Sequence, residues 1–144
     1  GERSICAVAA HLAAGADGAA YDRRCHDYAE IAARTVFGEC LPSLYPSSGA
    51  MVPLVPPVSI DQHDLVVWAG DFNFRLAGLT HETAVHLVAE RQWEKLWRRD
   101  ELYRAMAAGR VFPGYDEGRL DFAPTYKYDL GSDVYDTSPK RRCP

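Results

Sequence analysis

Long hydrophobic runs are missing from this sequence. Its apolar stretches are short and broken by charge or proline, which excludes a membrane-spanning helix of about 20 residues. The start, Gly1-Glu2-Arg3-Ser4-Ile5, has no initiator methionine and no charged segment followed by an apolar one. It predicts neither a signal peptide nor a natural beginning, so the chain is expected to start inside a longer protein. Cysteine is scarce: Cys6, Cys25, Cys40 and Cys143 are the four in 144 residues, and none shows the paired spacing of a zinc site. They are expected to be reduced, mostly buried thiols of a cytosolic protein. A basic excess is also missing, because 16 Lys and Arg face 20 Asp and Glu for a net charge of −4. That argues against a surface that coats nucleic acid. What is present is ordinary for one globular domain with a core: 47% hydrophobic and 25% charged residues. No internal repeat is visible, and strands interspersed with helices predict mixed α/β architecture.

The most informative stretch runs from Val66 to Leu76. Leu65 to Ala69 read as a strand buried on both faces, and polarity changes abruptly at Gly70. Glycine there lets the backbone turn where a side chain would crowd it. A carboxylate, an amide and a guanidinium follow on alternate residues, Asp71, Asn73 and Arg75. In an extended chain they project the same way, with Phe72, Phe74 and Leu76 packing opposite. A carboxylate polarises water, an amide holds it or steadies an oxyanion, and a guanidinium suits phosphate. Turn capping by Asp71 and Asn73 with a solvated Arg75 is the structural alternative.

Upstream, Ile5 to Ala10 predicts a central strand with His11 at its end, where strand ends carry function. Ala13 to Ala20 reads as a mobile loop. Tyr21, Cys25, Tyr28, Ile31, Ala32 and Val36 recur at helical spacing over residues 21–37, with Asp22, Arg23, Arg24, Asp27, Glu30 and Arg34 on much of the other face. Gly38 is the expected stop. Residues 42–57 hold five prolines and predict no regular element. Downstream, Thr80 is an expected N-cap, Asp100 marks another helical start, and Gly109 ends it. Trp93 and Trp97, four residues apart, read as core. Polar aromatic and basic residues concentrate beyond Gly109, ending in Lys140-Arg141-Arg142 with Lys127 upstream. Such a patch suits a compact polyanion.

Taken in order, His11-Leu12-Ala13-Ala14, Tyr21-Asp22-Arg23-Arg24 with Asp27-Tyr28, Trp68-Ala69-Gly70-Asp71-Phe72-Asn73-Phe74-Arg75-Leu76, Pro124-Thr125-Tyr126-Lys127-Tyr128-Asp129, Gly131-Ser132-Asp133-Val134-Tyr135-Asp136-Thr137-Ser138 and Lys140-Arg141-Arg142-Cys143-Pro144 resemble the inositol polyphosphate 5-phosphatases, within them the type II group. The resemblance implies a DNase I-like fold, two β-sheets flanked by helices in a four-layer sandwich, and Mg²⁺-dependent removal of an inositol 5-phosphate. It implies that Asp71 activates or orients the attacking water, that Asn73 holds the water and the phosphate, and that His11 contacts the scissile phosphate. Tyr126, Lys127, Lys140 and Arg142 match residues around the neighbouring 4-phosphate, and Arg75 is a brace or a phosphate contact. The chain is then the central to C-terminal part of one catalytic domain over residues 1–144, truncated at both ends, with the metal-binding glutamate outside it. The expected partners are a phosphoinositide or soluble inositol phosphate and a membrane surface, with no nucleic acid, in the cytoplasm peripheral to membranes. The fragment alone is expected to be poorly soluble and inactive.

Two other classes compete. A phosphoinositide-binding segment without catalysis is kept open by Ala9, Ala10 and Gly15, which stand where the resembled family carries other residues. A nuclease or sphingomyelinase on the same fold shares the Asp-x-Asn pattern, but neither chemistry calls for the Tyr126-Lys127 pair or Lys140-x-Arg142.

Overall fold

The structure is a computed structural model that describes residues 3–38, 40–42, 51–53 and 56–138. Contacts divide the chain into two units, one of Gly1–Gly15 and Asp22–Asn73, the other of Ala16–Tyr21 and Phe74–Pro144.

In the first unit, β1 (Ile5–His11) pairs in parallel with the strand Leu65–Asp71, in register from Ile5 opposite Leu65 to His11 opposite Asp71. A parallel pair needs a crossover, and α1 (Gly18–Arg34) lies in it. Two short antiparallel pairs come between: β2 (Val36–Phe37) with β5 (Val58–Ser59), and β3 (Cys40–Pro42) with β4 (Met51–Pro53). The strand Leu65–Asp71 is then β6. The expectation of no regular element over residues 42–57 is thus corrected at Pro42 and at Met51–Pro53. Pro42 and Pro53 sit at strand ends, where a missing N–H does not break a ladder.

Burial corrects a second expectation. β6 is covered on one face only: Leu65 is 52% and Val67 47% exposed, while Trp68 packs on Tyr28 of α1 with ring centroids 5.2 Å apart. Cys6 of β1 and Cys25 of α1 are buried free thiols, as expected. Cys143 and the side chain of Cys40 lie outside the described residues. The apolar run was long enough to read as doubly buried, but from Leu65 to Ala69 its residues alternate between exposed and half-buried.

The helix also begins and ends earlier than its periodicity indicates. Asp17 accepts the Ala20 N–H on Oδ1 at 2.7 Å and the Tyr21 N–H on its carbonyl at 3.1 Å. That cap nucleates the helix in the stretch read as a loop. Val36 and Phe37 leave it to pair with Ser59 and Val58.

Ser4 and Asp64 lock the start of the parallel pair. The Asp64 carboxylate accepts the Ser4 N–H at 2.8 Å and the Ser4 hydroxyl at 3.1 Å. Those bonds, the backbone one first, hold its carboxyl below the usual range. A depressed folded-state value means stability that is present above about pH 4 and lost as pH falls through the folded value. The difference in urea midpoint between the parent and Asp64→Asn is therefore expected at pH 6 and should close as pH approaches 2. A difference that stays constant across that range contradicts this account.

The second unit is helical and then irregular. Thr80 caps α2 (His81–Ala89) through the Thr83 N–H, and α3 (Trp93–Trp97) follows. Asp100 caps α4 (Glu101–Ala107), accepting the Leu102 N–H at 2.7 Å, and Gly109 ends it at φ 66°. Burial raises the Asp100 carboxyl. Ala84, Val88 and Leu96 form the core of this unit with Trp93 against them, and Trp97 stacks on Tyr103 at 5.1 Å. Beyond α4 the chain is mostly exposed, Phe122 and Val134 by more than half, and Val111, Phe112 and Asp136 are the residues it buries among those described.

Candidate functional site

Because β1 and β6 are parallel, their carboxyl ends lie at one edge, and in open α/β sheets that is where ligands bind. The register sets His11 beside Asp71, with His11 Nε2 3.8 Å from Asp71 Oδ2 and both side chains exposed. The Leu12 N–H donates to the Asp71 carbonyl at 3.1 Å, carrying the ladder one residue further.

The chain then turns. Asn73 has φ 58°, and its N–H donates to Asp71 Oδ1 at 3.0 Å. Left-handed geometry closed by a side-chain oxygen two residues back is what Asn and Asp favour. Asn73 Nδ2 donates to the Leu12 carbonyl at 3.0 Å, which ties the turn to the end of β1. The expected alternation of Asp71, Asn73 and Arg75 on one face of an extended chain is therefore wrong. Asp71 and Asn73 are brought together by a turn. Arg75 belongs to the second unit. There its N–H donates to Glu101 Oε2 and its carbonyl accepts the Glu101 N–H, both at 3.0 Å. Its backbone braces the start of α4.

Sequence reading missed what holds His11 in place. Arg24, assigned to the polar face of the helix, is fully buried. Its Nη1 donates to the carbonyls of Gly15 at 2.9 Å and Ala13 at 3.3 Å. Asp27 accepts the Ala13 N–H at 2.9 Å. A buried guanidinium is tolerated only where such partners replace water. Together the two side chains clamp the segment that follows His11, and their spacing of one helical turn on α1 was the available signal.

In the second unit Tyr126 is 61% exposed, and Lys127 Nζ stands 3.8 Å from Asp136 Oδ1. Asp136 is 1% exposed. Its N–H donates to the Lys127 carbonyl at 2.9 Å and its Oδ1 accepts the Ser138 N–H at 3.0 Å. Nothing in the local sequence singled out this buried acid. Tyr128 and Tyr135 stack at 4.5 Å and both hydroxyls donate to the Pro124 carbonyl at 2.8 Å. Burial first, then the bond to Tyr128, pushes the Tyr135 phenol up. Lys140 and Arg142 lie outside the described residues.

Asp71 and Asn73 offer the hard oxygen atoms a Mg²⁺ ion takes. Among the described residues, however, no three His, Cys, Asp or Glu side chains converge as a metal site. These residues by themselves do not fit a complete cation site.

The profile of the Endonuclease/Exonuclease/phosphatase family 2 matches residues 1–144, and the chain belongs to that family. Its fold is DNase I-like α/β, of which the described residues carry the parallel β1–β6 pair and the helices above. Within the family it is similar to the mouse type II inositol 1,4,5-trisphosphate 5-phosphatase, 41% identical over 98% of this chain and 13% of that protein. It is 39% identical to inositol-1,4,5-trisphosphate 5-phosphatase 1 of Schizosaccharomyces pombe, over 99% of this chain and 11% of that one. A solved structure of the inositol polyphosphate 5-phosphatase domain of spsynaptojanin, in complex with inositol (1,4)-bisphosphate and calcium ion, is 40% identical. It superposes with a TM-score of 0.79 over 99% of this chain and 36% of that one. The chain thus spans a minor part of each of these relatives.

Proposed function

We propose that the whole protein carrying this chain hydrolyses the 5-phosphate of phosphoinositides or soluble inositol polyphosphates, with Mg²⁺ as the cation. The observation that carries this reading is the parallel register that sets His11 against Asp71, with Asn73 folded back onto both strand ends. An imidazole, a carboxylate and an amide at one edge suit in-line attack of water on a phosphate ester. Asp71 accepts the proton of the attacking water or orients it, Asn73 positions water and phosphate, and His11 contacts the phosphate. Tyr126, Lys127, Lys140 and Arg142 recognise a 4-phosphate, for which an ammonium, a guanidinium and a phenol are apt. Arg75 acts as a brace rather than a phosphate contact, in keeping with its two backbone bonds to Glu101. A bound Mg²⁺, to which Asp71 and Asn73 could each lend an oxygen, would supply Lewis-acid stabilisation of the phosphate. Substrate at a cytoplasmic membrane surface fits this reading.

The test is phosphate release by the whole protein from a 4,5-bisphosphorylated and a 5-monophosphorylated inositol substrate, each with and without Mg²⁺. Release that needs Mg²⁺ and favours the first substrate supports the reading. Binding without release, or hydrolysis of DNA or sphingomyelin instead, overturns it. Lys127→Ala is expected to weaken use of the 4,5-bisphosphorylated substrate by roughly tenfold, the scale of one charge-assisted pair, and to leave the 5-monophosphorylated substrate nearly untouched. Equal losses on both substrates would remove Lys127 from the 4-phosphate.

A further inference from the structure

The surface where α2 hands over to α3 is built differently from the rest of this acidic chain. An open cavity of about 430 Å³ is lined there by Arg91, Trp93, Lys95, Arg98 and Arg119, with Glu94 as an acid among them. Glu94 is already engaged, because its Oε1 accepts a bond from Arg98 Nη2 at 2.6 Å. Among the described residues no carboxylate stands within ion-pairing distance of Arg91, Lys95 or Arg119. Among the described residues, three cations without an ion-pair partner therefore share one concavity in a chain of net charge −4. Crowded like charges oppose one another until an anion joins them.

Arg91 argues against a merely solvated face. It follows Glu90, the C-cap of α2, at φ 54°. Its N–H donates to the Val88 carbonyl at 3.0 Å and the Gln92 N–H donates to the Leu87 carbonyl at 2.9 Å. This pair of bonds closes a helix through a left-handed residue, a place where glycine is favoured and any side chain is strained. Arg91 is thus held at a left-handed position that glycine favours, and from there it lines the cavity with Lys95 and Arg119.

The layout narrows the ligand. Lys95 of α3 and Arg98 at its C-cap stand three residues apart, and Arg91 lines the same cavity from the turn before α3. Guanidinium forks match carboxylates, and Trp93, fixed against the core of its unit, offers a rigid apolar wall. A single phosphate would engage only part of this set of cations, and a flat bilayer would not enter a concavity. We infer that this groove docks an acidic peptide segment of a partner protein, with an apolar side chain among its carboxylates. The site is separate from the catalytic reading and does not depend on it.

The probe is a fluorescein-labelled peptide of alternating Glu and Leu, titrated with the whole protein and read by anisotropy, with the Gln-for-Glu peptide as control. Binding of the Glu peptide alone is expected. Arg91→Gly should weaken it about tenfold or more, the loss of one charge-assisted pair, while the melting temperature holds or rises because glycine suits the left-handed position. Lys95→Glu with Arg119→Glu should abolish binding. Absence of binding by the parent overturns the inference, as does equal affinity in Arg91→Gly. Vesicles carrying anionic lipid that bind through these residues when the peptide does not would replace the peptide with a membrane and so overturn it too.

Discussion

Asp71→Asn is expected to lower phosphate release by the whole protein about a thousandfold or more with little change in KM, the scale on which loss of a central catalytic group is felt. Asparagine keeps the shape of the side chain and an oxygen that still accepts the Asn73 N–H, now 3.0 Å from Asp71 Oδ1. The turn therefore survives while the proton acceptor is lost. Asn73→Ala removes the amide that donates to the Leu12 carbonyl, so a structural tie is lost together with the proposed contact to water. It should cost about a hundredfold, and the double variant should lose less than the product of the two, because in the proposed mechanism the groups act on one water. Kinetics under saturating Mg²⁺, paired with a denaturation curve to show an intact fold, check this. Unchanged turnover in Asp71→Asn would end the assignment of Asp71 to the chemistry.

What could be read from the sequence follows the range over which each signal acts. The break from Leu65–Ala69 to Gly70 is local, and it marked the end of β6 to within two residues, where Asp71 and Asn73 meet and Arg75 does not join them. Caps at Thr80 and Asp100 were legible for the same reason, since each acts within three residues. The DNase I-like class came from ordered motifs along the whole chain, and the family match and superposition bear it out. Other features depend on partners far along the chain. That His11 meets Asp71 is a fact of pairing across 60 residues, which no local period encodes. Arg24 looked like part of a polar helix face because its partners, the Ala13 and Gly15 carbonyls, are visible only after the chain folds back. The turn at Asn73 competed with an extended continuation that fitted the alternation equally well. Asp17 had a readable cap signal that was outweighed by the glycines around it.

Gly70→Ala carries the largest expected structural effect. Gly70 lies in β6 at φ 131°, opposite Ala10 in the parallel register. A Cβ there would overlap the Ala10 carbonyl oxygen and stand 3.0 Å from the Ala10 carbonyl carbon, both backbone atoms that cannot swing aside. Two routes remain: the residue abandons its positive φ and breaks the register, or the end of β1 moves away. Strain of about 1–3 kcal/mol for the backbone and a similar amount for overpacking give a total of roughly 2–6 kcal/mol, a large share of a typical domain's stability of about 5–15 kcal/mol. Either route separates His11 from Asp71, so activity should fall along with stability. Hydrogen exchange on the whole protein reads this locally: amides of Ile5–His11 and Leu65–Asp71 should exchange about a hundredfold faster or more, since about 1.4 kcal/mol is tenfold. Gly18→Ala serves as the control, because a Cβ at that helical position meets nothing within 4 Å and should be neutral or stabilising. Equal protection of both strands in Gly70→Ala and the parent would show that the ends of β1 and β6 yield without cost, and the rigid pairing of His11 with Asp71 would have to be given up.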